Sequence, residues 1–165
     1  MTGPGTADHV RGAPGAPLIV EYGDYECPYS RRAFRQIELV EQRVPVRFGF
    51  RHFPLREIHP HALAAAAAAE AAALQDRFWD MHELLFHRQK ALEDDDLQGY
   101  ARELGLDVAA FDAARRGPEV MERIRGDVES GLDTGEVRGT PTLFIDGVLH
   151  RESYDADVLV RALGR

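Results

Sequence analysis

The chain of 165 residues has few sulfur nucleophiles, few lysines and no long apolar run. Cys27 is its only cysteine, which excludes a disulfide within the chain and any cysteine-rich zinc site. No apolar stretch approaches the roughly 20 residues needed to cross a bilayer, so we expect no membrane segment. Any redox chemistry of this chain must therefore proceed through a disulfide with another molecule.

Basic charge is also scarce, with 20 Lys+Arg against 28 Asp+Glu and a formal net charge of −8. This balance argues against nucleic acid or an anionic membrane surface as a partner. The histidines do not have the spacing of a metal site, because His82 and His87 lie five residues apart and the helical HExxH motif needs four. This spacing predicts no metal site. Neither phosphate-binding glycine motif occurs, so we also expect no nucleotide.

Residues 1–15 are rich in Gly, Pro and Ala and lack a basic segment followed by an apolar core. A secretory signal needs both of these features. We therefore expect a flexible leader over residues 1–15 and a cytoplasmic protein.

The hydrophobic pattern predicts strands and helices in a definite order. An apolar run over 18–25, an amphipathic stretch over 27–42 and alternation over 44–53 predict a strand, a helix and a strand. Residues 59–135 then follow a helical pattern that begins with an alanine run. Near the end of this block, four apolar residues spaced four apart predict one buried helix face: Val120, Ile124, Val128 and Leu132. A hairpin follows over 142–151 around Asp146-Gly147, and a helix ends the chain.

The order β-α-β, helical block, β-β-α predicts an α/β fold in which both ends of the chain share one sheet. We assign residues 16–57 and 136–165 to this sheet unit. Residues 58–135 form an all-helical insertion between its halves.

Cys27 follows the first predicted strand and precedes Pro28, which suits a first helical turn. Unpaired N–H groups and the positive end of the helix dipole lie at such a position. A thiol there ionises more readily than in free cysteine, and the thiolate is the reactive form. The alternative is that Cys27 is simply a small buried apolar residue.

Four motifs occur in the order seen in one family: Val20–Tyr29 around the cysteine, Arg51–Leu55, Phe78–His82 and Gly139–Thr142. Together they make the chain similar to the DsbA-like family of the thioredoxin fold, with its helical insertion. The resemblance implies thiol–disulfide oxidoreductase activity with Cys27 as the nucleophile. It also implies a cis Thr140–Pro141 bond beside Cys27, and a buried acid at Glu21 that tunes or relays protons.

The chain departs from the family at Ser30, where members that act as dithiol oxidants carry a second cysteine. We expect Ser30 to help cap its helix and to hydrogen-bond the Cys27 thiolate. The resemblance places substrate-binding groups at Pro28, Tyr29, Thr140 and Pro141.

The expected mechanism is monothiol exchange, in which Cys27 forms a mixed disulfide with a disulfide-containing protein or a small-thiol mixed disulfide. An external thiol must then resolve it. No cofactor is expected to be bound, although glutathione or another low-molecular-weight thiol would be a co-substrate.

Two alternatives stay open at this point. Cys-Pro-Tyr-Ser is also similar to the Ser-Pro-Tyr-Ser site of kappa-class glutathione transferases, in which Ser30 would activate glutathione. The chain could instead be a non-catalytic module that binds extended peptides or senses oxidation through Cys27.

Overall fold

The computed structural model describes residues 8–164. The elements in this range are β1 (His9–Gly12), β2 (Leu18–Gly23), α1 (Pro28–Arg43), β3 (Arg47–His52), α2 (Ala62–Ala73), α3 (Phe78–His87), α4 (Asp94–Glu103), α5 (Val108–Arg115), α6 (Pro118–Asp133), β4 (Thr142–Ile145), β5 (Val148–Leu149) and α7 (Ala156–Leu163). Within the described range, no helix combines the length and apolar character needed to span a membrane.

The strands form one mixed sheet in the order β1-β3-β2-β4-β5. β2 and β3 are parallel, as a strand–helix–strand unit requires, and the other neighbouring pairs are antiparallel. β2 lies between a strand that follows it closely and one from the far end of the chain, so Glu21 is opposite both Phe50 and Leu143. The predicted α/β fold, with both ends of the chain in one sheet and helices between them, is confirmed.

Each face of the sheet is covered by apolar packing. Ile19, Phe48 and Phe50 belong to a core shared with α1, α3 and α7. On the opposite face, Tyr22 and Phe144 belong to a second cluster, against which Val128 of α6 packs. The sheet is therefore buried on both sides, and its middle strand β2 is buried along its whole length.

The flexible leader predicted over residues 1–15 is wrong for His9–Gly12, which forms the edge strand β1 paired with β3. Long-range contacts hold this strand: Arg11 donates to Glu41 at 2.9 Å, and the His9 ring bonds Glu70 at 2.8 Å. A composition rich in Gly and Pro does not reveal partners that lie 30 or more residues away. Residues 1–7 lie outside the described residues.

The predicted buried face of α6 is wrong at its last position, because Leu132 is 59% exposed. Steps of four residues advance by about 40° around a helix, so the stripe has drifted to the solvent side by its fourth member. Gly131 occupies the interior position instead, where an added Cβ would lie 3.0 Å from the Tyr22 ring. The glycine allows α6 to approach the sheet closely.

Candidate functional site

Cys27 occupies the junction between the middle strand and the first helix. β2 ends at Gly23 and α1 begins at Pro28, so Cys27 is the N-cap residue of α1, with an extended backbone. It has no disulfide partner and is 3% exposed. The thiol therefore lies at a helix N-terminus just beneath the surface, and a reaction partner must dock closely to reach it.

The sulfur faces the segment that leads into β4. Cys27 Sγ lies 3.5 Å from the carbonyl oxygen of Thr140, and the Thr140–Pro141 peptide bond is cis. Within residues 8–164, the buried Thr140 Oγ1 has no hydrogen-bond partner. The structure thus brings together the cysteine and the Thr140-Pro141 pair, which are more than one hundred residues apart in the chain.

Pro28 and Tyr29 form the exposed outer side of this site. Both belong to the first turn of α1, and the Tyr29 side chain is 65% exposed. A large aromatic ring so exposed next to a buried thiol can contact a docked molecule.

Ser30 points inward, contrary to the expectation that its hydroxyl bonds the Cys27 thiolate. It is fully buried, and its Oγ accepts a hydrogen bond from the backbone N–H of Asp24 at 3.2 Å. The physical reason is that the Asp24 N–H is itself buried and needs an acceptor. Ser30 therefore stabilises the turn that carries Cys27, and among the described residues its hydroxyl neither hydrogen-bonds the sulfur nor caps an N–H of α1, contrary to both expectations.

Glu21 is buried in β2 at 1% exposure, and neither carboxylate oxygen has a hydrogen-bond partner among the described residues. Desolvation by burial raises its pKa to about 8. Glu21 is consequently a protonated acid at neutral pH. It makes no hydrogen bond to Cys27.

Sequence reasoning missed Asp24, which organises the turn. Its Oδ1 accepts from Glu26 N–H at 2.7 Å, and its Oδ2 accepts from Leu55 N–H at 2.9 Å and from His59 Nδ1 at 2.8 Å. These bonds attach the Cys27 turn to the loop that follows β3. The only signal in the sequence was an acid shortly before the cysteine, which is also an ordinary turn residue.

Sequence reasoning also missed the contacts from the helical insertion. The Gln89 side-chain amide donates to the carbonyl oxygens of Tyr25 and Cys27 at 2.8 and 2.9 Å. The Tyr25 hydroxyl shares a 2.8 Å hydrogen bond with His82 Nδ1, and burial holds the pKa of His82 well below its ordinary value. His82 belongs to the family motif Phe78–His82, but nothing local in the sequence predicts these contacts, because each spans more than 50 positions of the chain.

Comparisons with known proteins agree with this geometry. The model of the DSBA-like thioredoxin domain matches residues 18–164. Among solved structures, a thioredoxin-like oxidoreductase from Silicibacter pomeroyi superposes with a TM-score of 0.86 at 27% identity and covers 98% of this chain and 92% of its own. The thiol-disulfide exchange protein alpha-DsbA2 from Wolbachia pipientis has a TM-score of 0.84 at 20% identity, over 96% of this chain and 87% of its own, a likeness that shows the fold alone.

Curated relatives are named for a different activity. The chain is 45% identical over 161 residues to the Na(+)/H(+) antiporter NhaA 1 of Mycolicibacterium gilvum and 46% identical to that of Salinispora arenicola. The match covers 94% of this chain but only 26% and 24% of those proteins, so the chain spans about a quarter of their length. The fold, the cysteine at the N-terminus of α1 and the match over residues 18–164 give one conclusion: this chain belongs to the family of DSBA-like thioredoxin domains.

Proposed function

We propose that the chain is a monothiol thiol–disulfide oxidoreductase that acts through Cys27. The observation that carries the proposal is the placement of the sole cysteine at the N-cap of α1, with its sulfur against the Thr140 carbonyl. A helix N-terminus stabilises a thiolate relative to the thiol. Family membership supports disulfide exchange as the reaction, and the single sulfur sets how it runs.

The first step is nucleophilic attack by the Cys27 thiolate on one sulfur of a disulfide R–S–S–R′. A new bond forms between Cys27 and the R sulfur, the original S–S bond breaks, and R′ leaves as a thiolate that takes a proton from solvent. The second step needs a thiolate from another molecule, which attacks the mixed disulfide and restores Cys27. Glutathione, another low-molecular-weight thiol or a second cysteine of the substrate supplies it.

The remaining site residues have supporting roles in this proposal. Pro28 and Tyr29 on the exposed turn and Thr140 and Pro141 beside the sulfur contact the substrate, with Thr140 offering its backbone groups. Glu21 holds a proton in the interior at neutral pH and tunes the site. The cytoplasmic location expected from the sequence stays a prediction, and a reducing compartment would supply the resolving thiol.

The placement of Ser30 favours this proposal over a kappa-like glutathione transferase. Such a reaction needs a hydroxyl that reaches bound glutathione, whereas Ser30 is fully buried and accepts the Asp24 N–H. The antiporter activity is that of relatives about four times as long as this chain, so we draw the function from the DSBA-like family instead.

A turnover assay with a glutathionylated peptide tests the proposal, with intact mass used to detect the adduct on the protein. We expect wild type to form a glutathione adduct at Cys27 and to turn over when glutathione is supplied. Cys27→Ser should lose both, Ser30→Ala should keep both, and Ser30→Cys should replace the stable adduct with an intrachain disulfide.

Each contrary result points to a specific alternative. Turnover that survives Cys27→Ser but is lost in Ser30→Ala would overturn the proposal in favour of a transferase. A wild-type protein that forms no adduct yet binds an extended peptide, and still binds it as Cys27→Ala, would be a non-catalytic module. Circular dichroism of each variant establishes that it is folded.

A further inference from the structure

A cavity of about 300 Å³ opens beside the Cys27 turn, between the start of α1 and the loop after α3. Its lining contains no acidic side chain and consists of Arg31, His87, Arg88, Gln89, Lys90 and Ala91. We call it the basic cavity. Such a lining is notable in a chain that carries a net charge of −8 and a single lysine, Lys90.

Two residues of the basic cavity are hydrogen-bonded to the residue that carries the nucleophile. The backbone N–H of Arg31 donates to the Cys27 carbonyl at 3.1 Å, and the Gln89 side-chain amide donates to the same oxygen at 2.9 Å. The lining of the basic cavity therefore contacts the backbone of the residue that carries the sulfur.

The positive charge of the basic cavity is only partly neutralised. Arg88 is held by Glu103 in a bidentate pair at 2.6 and 2.9 Å. Arg31 and Lys90, by contrast, have no ion-pair partner within residues 8–164. An anionic group is the electrostatic complement of this unneutralised charge.

We propose that the basic cavity binds the carboxylate of a low-molecular-weight thiol while that thiol is joined to Cys27 in a mixed disulfide. This inference rests on the proposed function and names its co-substrate class, a small thiol that bears a carboxylate. The cavity is of the size that takes a small molecule. In this proposal Arg31 and Lys90 neutralise the carboxylate.

The step that tests this is formation of the mixed disulfide. The Cys27 thiolate attacks one sulfur of a symmetric small disulfide, the S–S bond of that reagent breaks, and its other half leaves as a thiolate. A charged and an uncharged reagent of nearly equal size isolate the role of the carboxylate. Dithiodipropionate carries a carboxylate on each half, and dithiodipropionamide carries an amide in the same place.

The readout is the ratio of the two labelling rates for each protein, measured by intact mass and divided by the same ratio for cysteine in solution. For wild type we expect dithiodipropionate to react about five- to tenfold faster than its amide, with the preference shrinking as salt is added. Arg31→Gln and Lys90→Gln should each reduce the ratio, and together they should bring it to that of cysteine. Arg35→Gln is the matched control, because Arg35 is exposed on the next turn of α1 and lies outside the cavity lining.

The outcomes separate this inference from the proposed function. The inference is wrong if both reagents label Cys27 and the wild-type rate ratio equals that of cysteine in solution. It is also wrong if the preference for dithiodipropionate survives in Arg31→Gln and Lys90→Gln. In either case disulfide exchange at Cys27 stands. If neither reagent labels Cys27, the proposed function itself fails. Loss of the preference in Arg35→Gln as well would assign it to the overall charge of α1 and would also overturn the inference.

Discussion

Two carboxylates are buried around the end of the middle strand, and their surroundings differ completely. Asp24 and Glu21 are each 1% exposed and lie three residues apart. Asp24 accepts three hydrogen bonds, two of them from backbone N–H groups, whereas Glu21 accepts none among the described residues. Burial is therefore equal in the two cases, and the number of donors is what distinguishes them.

The comparison shows how one short segment supports two tasks. A buried carboxylate that accepts several hydrogen bonds repays its desolvation and holds its donors in place, so Asp24 anchors the Cys27 turn to the loop after β3. A buried carboxylate without donors is more stable when protonated, so burial raises the pKa of Glu21 to about 8. The first acid provides rigidity, and the second provides a titratable group in the interior.

Removing the Asp24 carboxylate should have the largest effect on stability. In Asp24→Ala three donors lose their acceptor: Glu26 N–H, Leu55 N–H and His59 Nδ1. Hydrogen bonds to a charged group contribute roughly 1.5–3 kcal/mol each, so we expect the free energy of unfolding to fall by about 5 kcal/mol. Urea denaturation at neutral pH measures it.

Asp24→Asn retains one acceptor oxygen and should lose about half as much, which keeps the effect measurable if the alanine variant does not fold. The control is Asp133→Ala, since Asp133 is exposed at the end of α6 and its loss should change stability by less than about 0.5 kcal/mol. Equal losses in Asp24→Ala and Asp133→Ala would contradict the anchoring role.

Removing the Glu21 carboxyl should change the pH dependence of stability. Between the ordinary pKa of 4.5 and the raised pKa of about 8, the folded state holds one more proton than the unfolded state. The contribution of Glu21 to stability therefore falls as pH rises through this window. We expect the unfolding free energy of Glu21→Gln, taken relative to that of wild type, to rise by about 3–4 kcal/mol as the pH goes from 5 to 8.

The measurement is the difference in unfolding free energy between variant and wild type at several pH values. Burying the glutamine amide has a cost that does not depend on pH. It therefore changes this difference by the same amount at every pH and leaves its slope against pH unchanged. Glu129→Gln, at an exposed position of α6, should give a difference that does not vary with pH. A flat difference for Glu21→Gln as well would show that Glu21 is ionised in the folded protein.

The contrast between the two acids marks the limit of what the sequence could predict. The resemblance to the DsbA-like family predicted that Cys27 lies beside Thr140 and that Glu21 is a buried acid. Periodicity reports which side of an element is buried, so it indicates burial but not hydrogen-bond donors. The donors to Asp24 come from Leu55 and His59 in another loop, and no local pattern specifies that contact.

The same limit applies to the helical insertion and the first strand. The alanine run correctly predicted a helix, but the contacts of Gln89 with the Cys27 turn depend on how α3 docks against α1. The strand β1 was missed because its stability comes from pairing with β3, not from its own propensity. Local structure was predictable, and the tertiary contacts that complete the site were not.

Replacing Ser30 should have the smallest effect on stability. It tests the hydrogen bond of the Asp24 backbone N–H separately from those that the Asp24 carboxylate accepts. Ser30 Oγ accepts the Asp24 N–H at 3.2 Å in the interior, and Ser153 Oγ accepts the Asp155 N–H at 3.1 Å on the surface. Each alanine variant removes a hydroxyl that accepts one backbone N–H. Water can replace the acceptor only at the exposed site, so we expect Ser30→Ala to cost about 1–2 kcal/mol and Ser153→Ala less than about 0.5 kcal/mol in urea denaturation.

The pair of serine variants tests whether the turn is held by its backbone as well as by the Asp24 carboxylate. Ser30 stands where dithiol members of the family carry their second cysteine, so its inward hydrogen bond would explain how the turn keeps its shape without that sulfur. Equal costs for Ser30→Ala and Ser153→Ala would mean that the buried N–H finds another acceptor. The Asp24 carboxylate and the Gln89 amide would then hold the Cys27 turn without Ser30, which would have no structural role there.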